Sequence, residues 1–465
     1  MHNWNRRAVL AGGAAIGAAS ISPAANAKQQ GGEKPNILFI MADDLGYADL
    51  SCYGRTDFET PAIDALASDG LQLMQTYANS AVCSATRTAL ITGRYQYRLP
   101  FGLQEPGGRN LGLPPDHPTL PSLLKKSGYK TALIGKWHMG APPEYGPLKS
   151  GYDSFYGIYG GGTDYFRHSP DNTVSENYAE QTVLIDQDAP ALDEGYLTDL
   201  LADRAINIIE DSAKSDTPFF VSLHFTSPHW PWIGPNDEQV SETLTDLNHE
   251  DGGNIRIFAS MVKSMDANIE RVLHALKRAG LDQNTIVVFT SDNGGERYSD
   301  VWPFVGVKGE LLEGGIRVPG IVRWPGHIKK NRRSEQVITS MDWMPTLLAA
   351  AGAQQDPGFP SDGENLLDQL TGQAPAVERK LCWRFKANEQ SAIRDGDWKY
   401  LKIGGFEHLF NLAEDERERA DLKDKEPERF AQLKTAYQEW DATMLPYPED
   451  SYSHDVKKGN YSDRY

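Results

Sequence analysis

N-I-L-F-I-M-A-D-D-L-G, residues 36–46, decides how the chain folds. Residues 36–42 run without polar alternation, the pattern of a strand covered on both faces rather than one. Two adjacent aspartates, Asp43 and Asp44, end the run. Further along, K-T-A-L-I-G (130–135), F-F-V-S-L-H-F (219–225), T-I-V-V-F-T (285–290) and P-G-I-V-R (319–323) read the same way. Helical patterns fall between them, at 61–68, 118–127, 195–213, 255–279 and 342–351. Buried strands separated by helices predict an α/β fold: a large mixed, mostly parallel sheet sandwiched by helices. A Gly/Pro/Asp-rich stretch at 354–363 breaks the pattern. Beyond it, strands at 381–385, 391–403 (turning at Asp395-Gly396-Asp397) and 408–412, with a helix at 427–444, predict a small antiparallel α+β subdomain. The tail from Leu445 onward reads as a surface arm.

The 465 residues carry a formal charge of −18 and no low-complexity tract. Such a surface disfavours nucleic acid and anionic membranes as general partners, and an anionic substrate would need its positive contacts concentrated locally. Residues 1–27 read as an export signal: Arg6-Arg7 precede an Ala/Gly-rich stretch, and Ala25-Asn26-Ala27 forms a small-x-small cleavage site. The paired arginines favour the twin-arginine route. The mature protein is then periplasmic or secreted, and no later segment has the 18 uninterrupted apolar residues of a membrane span. A large unit over 28–355 and the small one over 356–465 complete the expected domains. Three cysteines make no disulfide scaffold; Cys52 and Cys382 could pair or stay buried, which leaves Cys83.

In α/β sheets ligands gather beyond the carboxyl ends of strands. Two buried strands end there in oxygen donors, the first in Asp43 and Asp44, the second in Asp292 and Asn293 of S-D-N-G-G. Three carboxylates and an amide oxygen suit a hard cation, Ca²⁺ or Mg²⁺. In N-S-A-V-C-S-A-T-R-T-A-L-I-T-G-R (79–94), Asn79 or Ser80 can cap a helix that places Cys83 in its first turn, where negative charge is favoured. Arg87 is four residues on, one turn along the same face. Cations and imidazoles stand at other strand exits and glycine-flanked loops: Lys136 and His138 in G-K-W-H-M-G, His229 in S-P-H-W-P, and Lys308 in V-K-G-E-L-L-E-G-G. If the strand continues past 135, Lys136 and His138 share a face. Together these groups could hold an anion and move protons.

In these motifs, and in their order, the chain resembles the formylglycine-dependent sulfatases of the alkaline-phosphatase-like superfamily. The resemblance implies that Cys83 is oxidised after translation to formylglycine, whose hydrated aldehyde is the nucleophile. Asp43, Asp44, Asp292, Asn293 and position 83 would hold Ca²⁺, and Arg87 would stabilise the modified side chain. Lys136 and Lys308 would neutralise sulfate oxygens, His229 would protonate the leaving alcohol, and His138 would deprotonate the second hydroxyl to expel sulfate. A formylglycine-generating or sulfatase-maturing enzyme becomes an implied partner. One departure stands out: the motif usually has proline two residues after the cysteine, where this chain has Ala85.

Residues 154–168, S-F-Y-G-I-Y-G-G-G-T-D-Y-F-R-H, resemble the corresponding part of N-acetylgalactosamine-4-sulfatases, which makes Asp164, Arg167 and His168 candidates for a sugar pocket. The implied substrate is a sulfated oligo- or polysaccharide, for instance from an algal galactan or ulvan. Two alternatives stand beside it: a phosphomonoester or phosphonate hydrolase of the same superfamily, and a non-catalytic binder of sulfated glycans.

Overall fold

The computed structural model describes residues 34–99, 111–174, 179–249 and 252–447. The expected export signal and most of the expected surface arm lie outside the described residues. The large sheet comprises β1 (Asn36–Ala42), β2 (Leu71–Tyr77), β3 (Lys130–Lys136), β4 (Ser154–Ile158), β5 (Ile185–Asp186), β6 (Ala189–Pro190), β7 (Phe219–His224), β8 (Thr285–Ser291), β9 (Arg317–Arg323), β10 (Arg332–Ser334) and β11 (Ile338–Thr339). Its order is β10-β2-β9-β8-β1-β7-β3-β4-β5-β6, with β11 also on β2. The central strands β8, β1, β7, β3 and β4 are parallel, and β9 runs antiparallel between β8 and β2.

The unbroken apolar run of β1 is explained by a helical layer on each face. Leu38 and Ile40 join one core with the helices Pro61–Ser68, Leu197–Ser212 and Ile255–Arg278. Ile37, Phe39 and Met41 point the other way, into a core with the helices Leu120–Lys126 and Trp343–Ala350. The long helix Ile255–Arg278 starts where Asn254 caps it, its side-chain oxygen accepting from Arg256 and Ile257 N–H.

A second sheet, β12 (Lys380–Phe385), β13 (Gln390–Asp395), β14 (Trp398–Ile403) and β15 (Phe406–Asn411), is antiparallel throughout. One face, through Leu381, Trp383, Ala392 and Leu401, packs on Tyr77, Ala81, Val82, Ala85, Leu311 and Ile316. The other carries the helix Pro427–Asp441 through Leu433 and Tyr437. The small subdomain therefore braces the segments on either side of Cys83 and Lys308. Cys52 and Cys382 are both free thiols. Among the described residues no helix is long and apolar enough to cross a membrane.

Candidate active site

β1 and β8 lie side by side with Ala42 opposite Ser291, so Asp43, Asp44, Asp292 and Asn293 emerge together. All four are buried, and their bonds interlock. Asp44 N–H donates to Asp292 Oδ1 (3.2 Å), and Asn293 Nδ2 donates to Asp44 Oδ1 (2.7 Å). Asp44 has the left-handed backbone of φ +62°, a conformation held by these contacts.

Cys83 is the first residue of the helix Cys83–Thr92, in the free N–H turn. The expected side-chain cap is absent: Val82 occupies the cap position with no side-chain hydrogen bond. Asn79 Oδ1 is engaged instead by Thr339 Oγ1 and Met341 N–H, and Ser80 pairs through its backbone with Thr86 Oγ1. Cys83 Sγ and one oxygen each of Asp43 and Asp292 lie within 4.8 Å of one another. Burial pushes the thiol up to about 12, with Lys136 and Lys308 pulling against it, so an unmodified Cys83 is a poor nucleophile.

Three cations are built into the same place. Arg87 is fully buried and forks onto Asp292 Oδ2 through Nε (3.0 Å) and Nη2 (2.8 Å). Its Nη1 donates to Lys136 O at 3.0 Å. Lys136 Nζ meets Asp43 Oδ2 and Lys308 Nζ meets Asp44 Oδ2, each at 2.7 Å. Burial disfavours the charge on both lysines, but the carboxylates prevail: Lys136 is raised above its usual value and Lys308 well above it. Burial likewise opposes ionisation of Asp44, yet Lys308 and Lys136 hold it low. Burial and then Asp292 drive Asp43 well above the carboxylate range.

β3 ends at Lys136, so the strand does not carry on to His138. His138 turns into the left-handed region, φ +62°, while Trp137 is buried and donates Nε1–H to Gly140 O. Burial lowers His138 well below 6.5, and Lys136, Arg87, His229 and Lys308 all add to the cost of charging it. His229 Nδ1 lies 2.6 Å from Trp230 O; a carbonyl only accepts, so Nδ1 carries the proton. Its Nε2 stands 3.6 Å from Asp44 Oδ2.

The residues at the cluster fit a hard cation. Asp43 Oδ1 and Asn293 Oδ1 are buried without a hydrogen-bond partner, and an oxygen-only acid set left this way matches Ca²⁺ chemistry. They also fit a modified position 83, whose side chain sits between two carboxylates and three cations. Ala85 lies in the first helical turn; its backbone N–H precedes the first intrahelical bond, made by Thr86, so a proline there would forfeit nothing.

Asp164, Arg167 and His168 make their contacts elsewhere. Asp164 Oδ1 accepts from Phe166 N, Arg167 N and Ser241 Oγ, Arg167 Nη1 donates to Ser241 O and Leu244 O, and His168 Nε2 faces Asp193 O. What their loop brings to the site is glycine. A Cβ on Gly161 would come within 2.6 Å of His138 Cε1, and one on Gly162 within 3.3 Å of His229 Cε1.

Two site residues escaped the sequence reading. His224, at the end of β7, is buried with Nδ1 3.3 Å from Arg87 Nη1. The same nitrogen lies 3.4 Å from Lys136 O, between a group that only donates and one that only accepts; burial and Arg87 lower the ring to about 3, so it is neutral. Gln390 on β13 clamps the Lys308 loop, accepting from Leu311 N–H and donating to Gly309 O, both at 2.8 Å.

The sulfatase family model matches residues 35–353, most of the chain. The chain belongs to the sulfatase family. It is thereby a sulfuric ester hydrolase, with the mixed sheet and separate C-terminal four-stranded sheet described above. N-acetylgalactosamine-6-sulfatase of Rattus norvegicus is 30% identical over 390 residues, 79% of this chain and 71% of the relative. The crystal structure of Ps i-CgsB in complex with k-i-k-neocarrahexaose is 31% identical, with TM-score 0.81 over 92% of this sulfatase and 96% of that chain. A phosphonate monoester hydrolase of Agrobacterium radiobacter, 22% identical at TM-score 0.62 over 89% of this chain and 96% of that one, shares the fold alone.

Proposed function

We propose that this sulfatase removes sulfate from a galactose-type sulfated saccharide derived from a polysaccharide, using a formylglycine made from Cys83 and a Ca²⁺ ion. One observation carries the reading: Cys83, the Asp43 and Asp292 oxygens, and the buried cations Arg87, Lys136 and Lys308 converge on one point. The relatives named for N-acetylgalactosamine sulfate and for a bound neocarrahexaose support a galactose-type sugar. The catalytic portion corresponds to 28–355, with 356–465 an appended unit bracing the Lys308 loop. The enzyme acts in the periplasm or outside the cell.

Asp43, Asp44, Asp292, Asn293 and position 83 would hold the ion. When present, the ion supplies a Lewis acid and the formylglycine a hydrated-aldehyde nucleophile. Arg87 holds the Asp292 carboxylate by two bonds and so fixes the acid wall beside position 83. Lys136 and Lys308 each spend one N–H on an aspartate. Their remaining donors can take sulfate oxygens, at little reorganisation cost because both ammonium groups are already anchored. His229 delivers a proton to the leaving alcohol from Nε2, because Nδ1–H is tied to Trp230 O. His138, neutral in this cationic setting, takes the proton from the hydroxyl at position 83 as sulfate departs. Asp164, Arg167 and His168 serve this scheme by framing the loop whose Gly161 and Gly162 lie against both imidazoles. A maturing enzyme that accepts Cys-Ser-Ala-Thr-Arg is required, since the buried thiol is a poor nucleophile.

Sulfate and phosphate release, measured from sulfated galactan oligosaccharides, an aryl sulfate and an aryl phosphate, tests the proposal. Sulfate esters should be preferred by orders of magnitude. A phosphate monoester turned over faster than every sulfate ester would overturn it.

A further inference from the structure

The loop from Asn293 to Lys308 has both ends in the active site, and Lys308 N–H on Gly295 O (3.0 Å) closes its base. At its outer part Trp302 is 59% exposed, the one tryptophan among the exposed large hydrophobic side chains of the described residues. The support beneath it is firm. Trp302 N–H donates to Asp300 Oδ1 (2.8 Å), while Asp300 N–H donates to Asp49 Oδ1 and its carbonyl accepts from Ala48 N–H.

The guanidinium of Arg417, from the small subdomain, rests 4.7 Å from the Trp302 ring centroid. Among the described residues no acidic side chain pairs with it, and its Nε is buried without a hydrogen-bond partner. An unpaired arginine is a costly feature in a chain of charge −18 with carboxylates to spare. Its place is set by the next residue: Glu418 is buried, accepts from Glu313 N–H (2.7 Å) and meets Lys399 Nζ (2.8 Å). An arginine held over a firmly based, exposed indole presents an anion-binding fork beside an apolar platform. That pairing matches a sugar ring bearing a sulfate group. Trp302 and Lys308 are six positions apart, a span of at most about 22 Å. The platform is therefore within reach of an oligosaccharide whose cleaved ester lies at Lys308.

We propose that Trp302 and Arg417 form an outlying subsite for a further sulfated sugar unit of the substrate chain, Trp302 stacking on the ring and Arg417 binding its sulfate. The proposal rests on the sulfated-saccharide reading above and adds a second anionic contact remote from the reacting ester.

Calorimetric titration of the full chain carrying Cys83→Ala, with Ca²⁺ present, separates binding from turnover. The ligands are a sulfated neocarrahexaose and its chemically desulfated form. Arg417→Ala should raise Kd for the sulfated ligand about tenfold while moving that of the desulfated one by less than about twofold. Trp302→Ala should weaken both about fivefold, and Arg417→Lys should recover part of the arginine loss. Three results overturn the proposal: unchanged affinities in both variants, an equal loss for both ligands in Arg417→Ala, or no binding of the sulfated hexasaccharide by the parent. The failures are distinguishable. An enzyme that cleaves aryl sulfate but fails these titrations loses the subsite alone. Variant effects as expected, without sulfate release by the mature protein, would keep the subsite and remove the proposed function.

Discussion

Replacing Arg87 by lysine keeps the charge and removes the fork. Besides its 3.3 Å contact with His224 Nδ1, Arg87 makes three bonds in a fully buried site, two to Asp292 Oδ2 and one to Lys136 O. A lysine ammonium can replace one of them, leaving a charge-assisted bond and a buried carbonyl partner lost. At about 1.5–3 kcal/mol for the first and about 1 for the second, the cost is about 3 kcal/mol. For a chain of this size that corresponds to a fall in Tm of about 3 °C. The effect on turnover should be much larger. Asp292 and position 83 would lose their common support, and misplacement by about 1 Å can cost on the order of 100-fold. Scanning calorimetry and sulfate-release kinetics on mature enzyme would measure both. The expected pattern is a small loss of Tm with a roughly 100-fold fall in kcat. A variant within about threefold of the parent in kcat, at any Tm, would refute the assignment of Arg87 as the organiser of this wall.

Lys308→Ala leaves the buried Asp44 without its ammonium partner and removes the proposed sulfate contact; kcat/KM should fall about 1000-fold, and a fall below about tenfold would contradict the role. His224 gives a pH signature. Its ring is lowered to about 3 in the folded chain against about 6.5 unfolded, so the unfolded state binds the extra proton between those values. Its contribution to stability is whole above pH 6.5 and is lost as pH falls toward 3. Denaturation of His224→Gln should therefore show a shallower decline between pH 6.5 and 4.5, by up to about 1.4 kcal/mol per pH unit, and a parental slope would sink the reading. Calcium at about 100 times its Kd should stabilise the chelator-treated protein by about 2.7 kcal/mol, roughly 3 °C in Tm, and Asp43→Asn should abolish that response. Calcium-independent melting of active enzyme would contradict the metal assignment.

Much of the fold was legible because buried parallel strands leave a continuous apolar mark. β1 was read to the residue, and β3, β7, β8 and β9 to within two. β2 and β4 were not seen. In β2 the buried Gln72 interrupts the run, its polarity satisfied by a bond to Cys52 O, and a register shift between Leu73 and Thr76 adds a second irregularity. In β4 the signal is broken by Gly157, where a Cβ would collide with Gly135 O. The site was legible where strand exits carry Asp43, Asp44, Asp292 and Asn293. Its pairings were not, since Lys308 meets Asp44 from 264 positions away. His224 stood inside an apolar strand; the available signal was a titratable residue in a run covered on both faces. Gln390 carried no signal, because its task depends on how the small sheet docks.

The central claim is tested most directly by mass spectrometry of the Cys83 peptide from protein made in its natural host, alongside sulfate release by the same preparation. The account predicts the aldehyde or its hydrate at position 83, with activity rising in proportion to the modified fraction. Full activity from protein whose Cys83 is wholly thiol would contradict it.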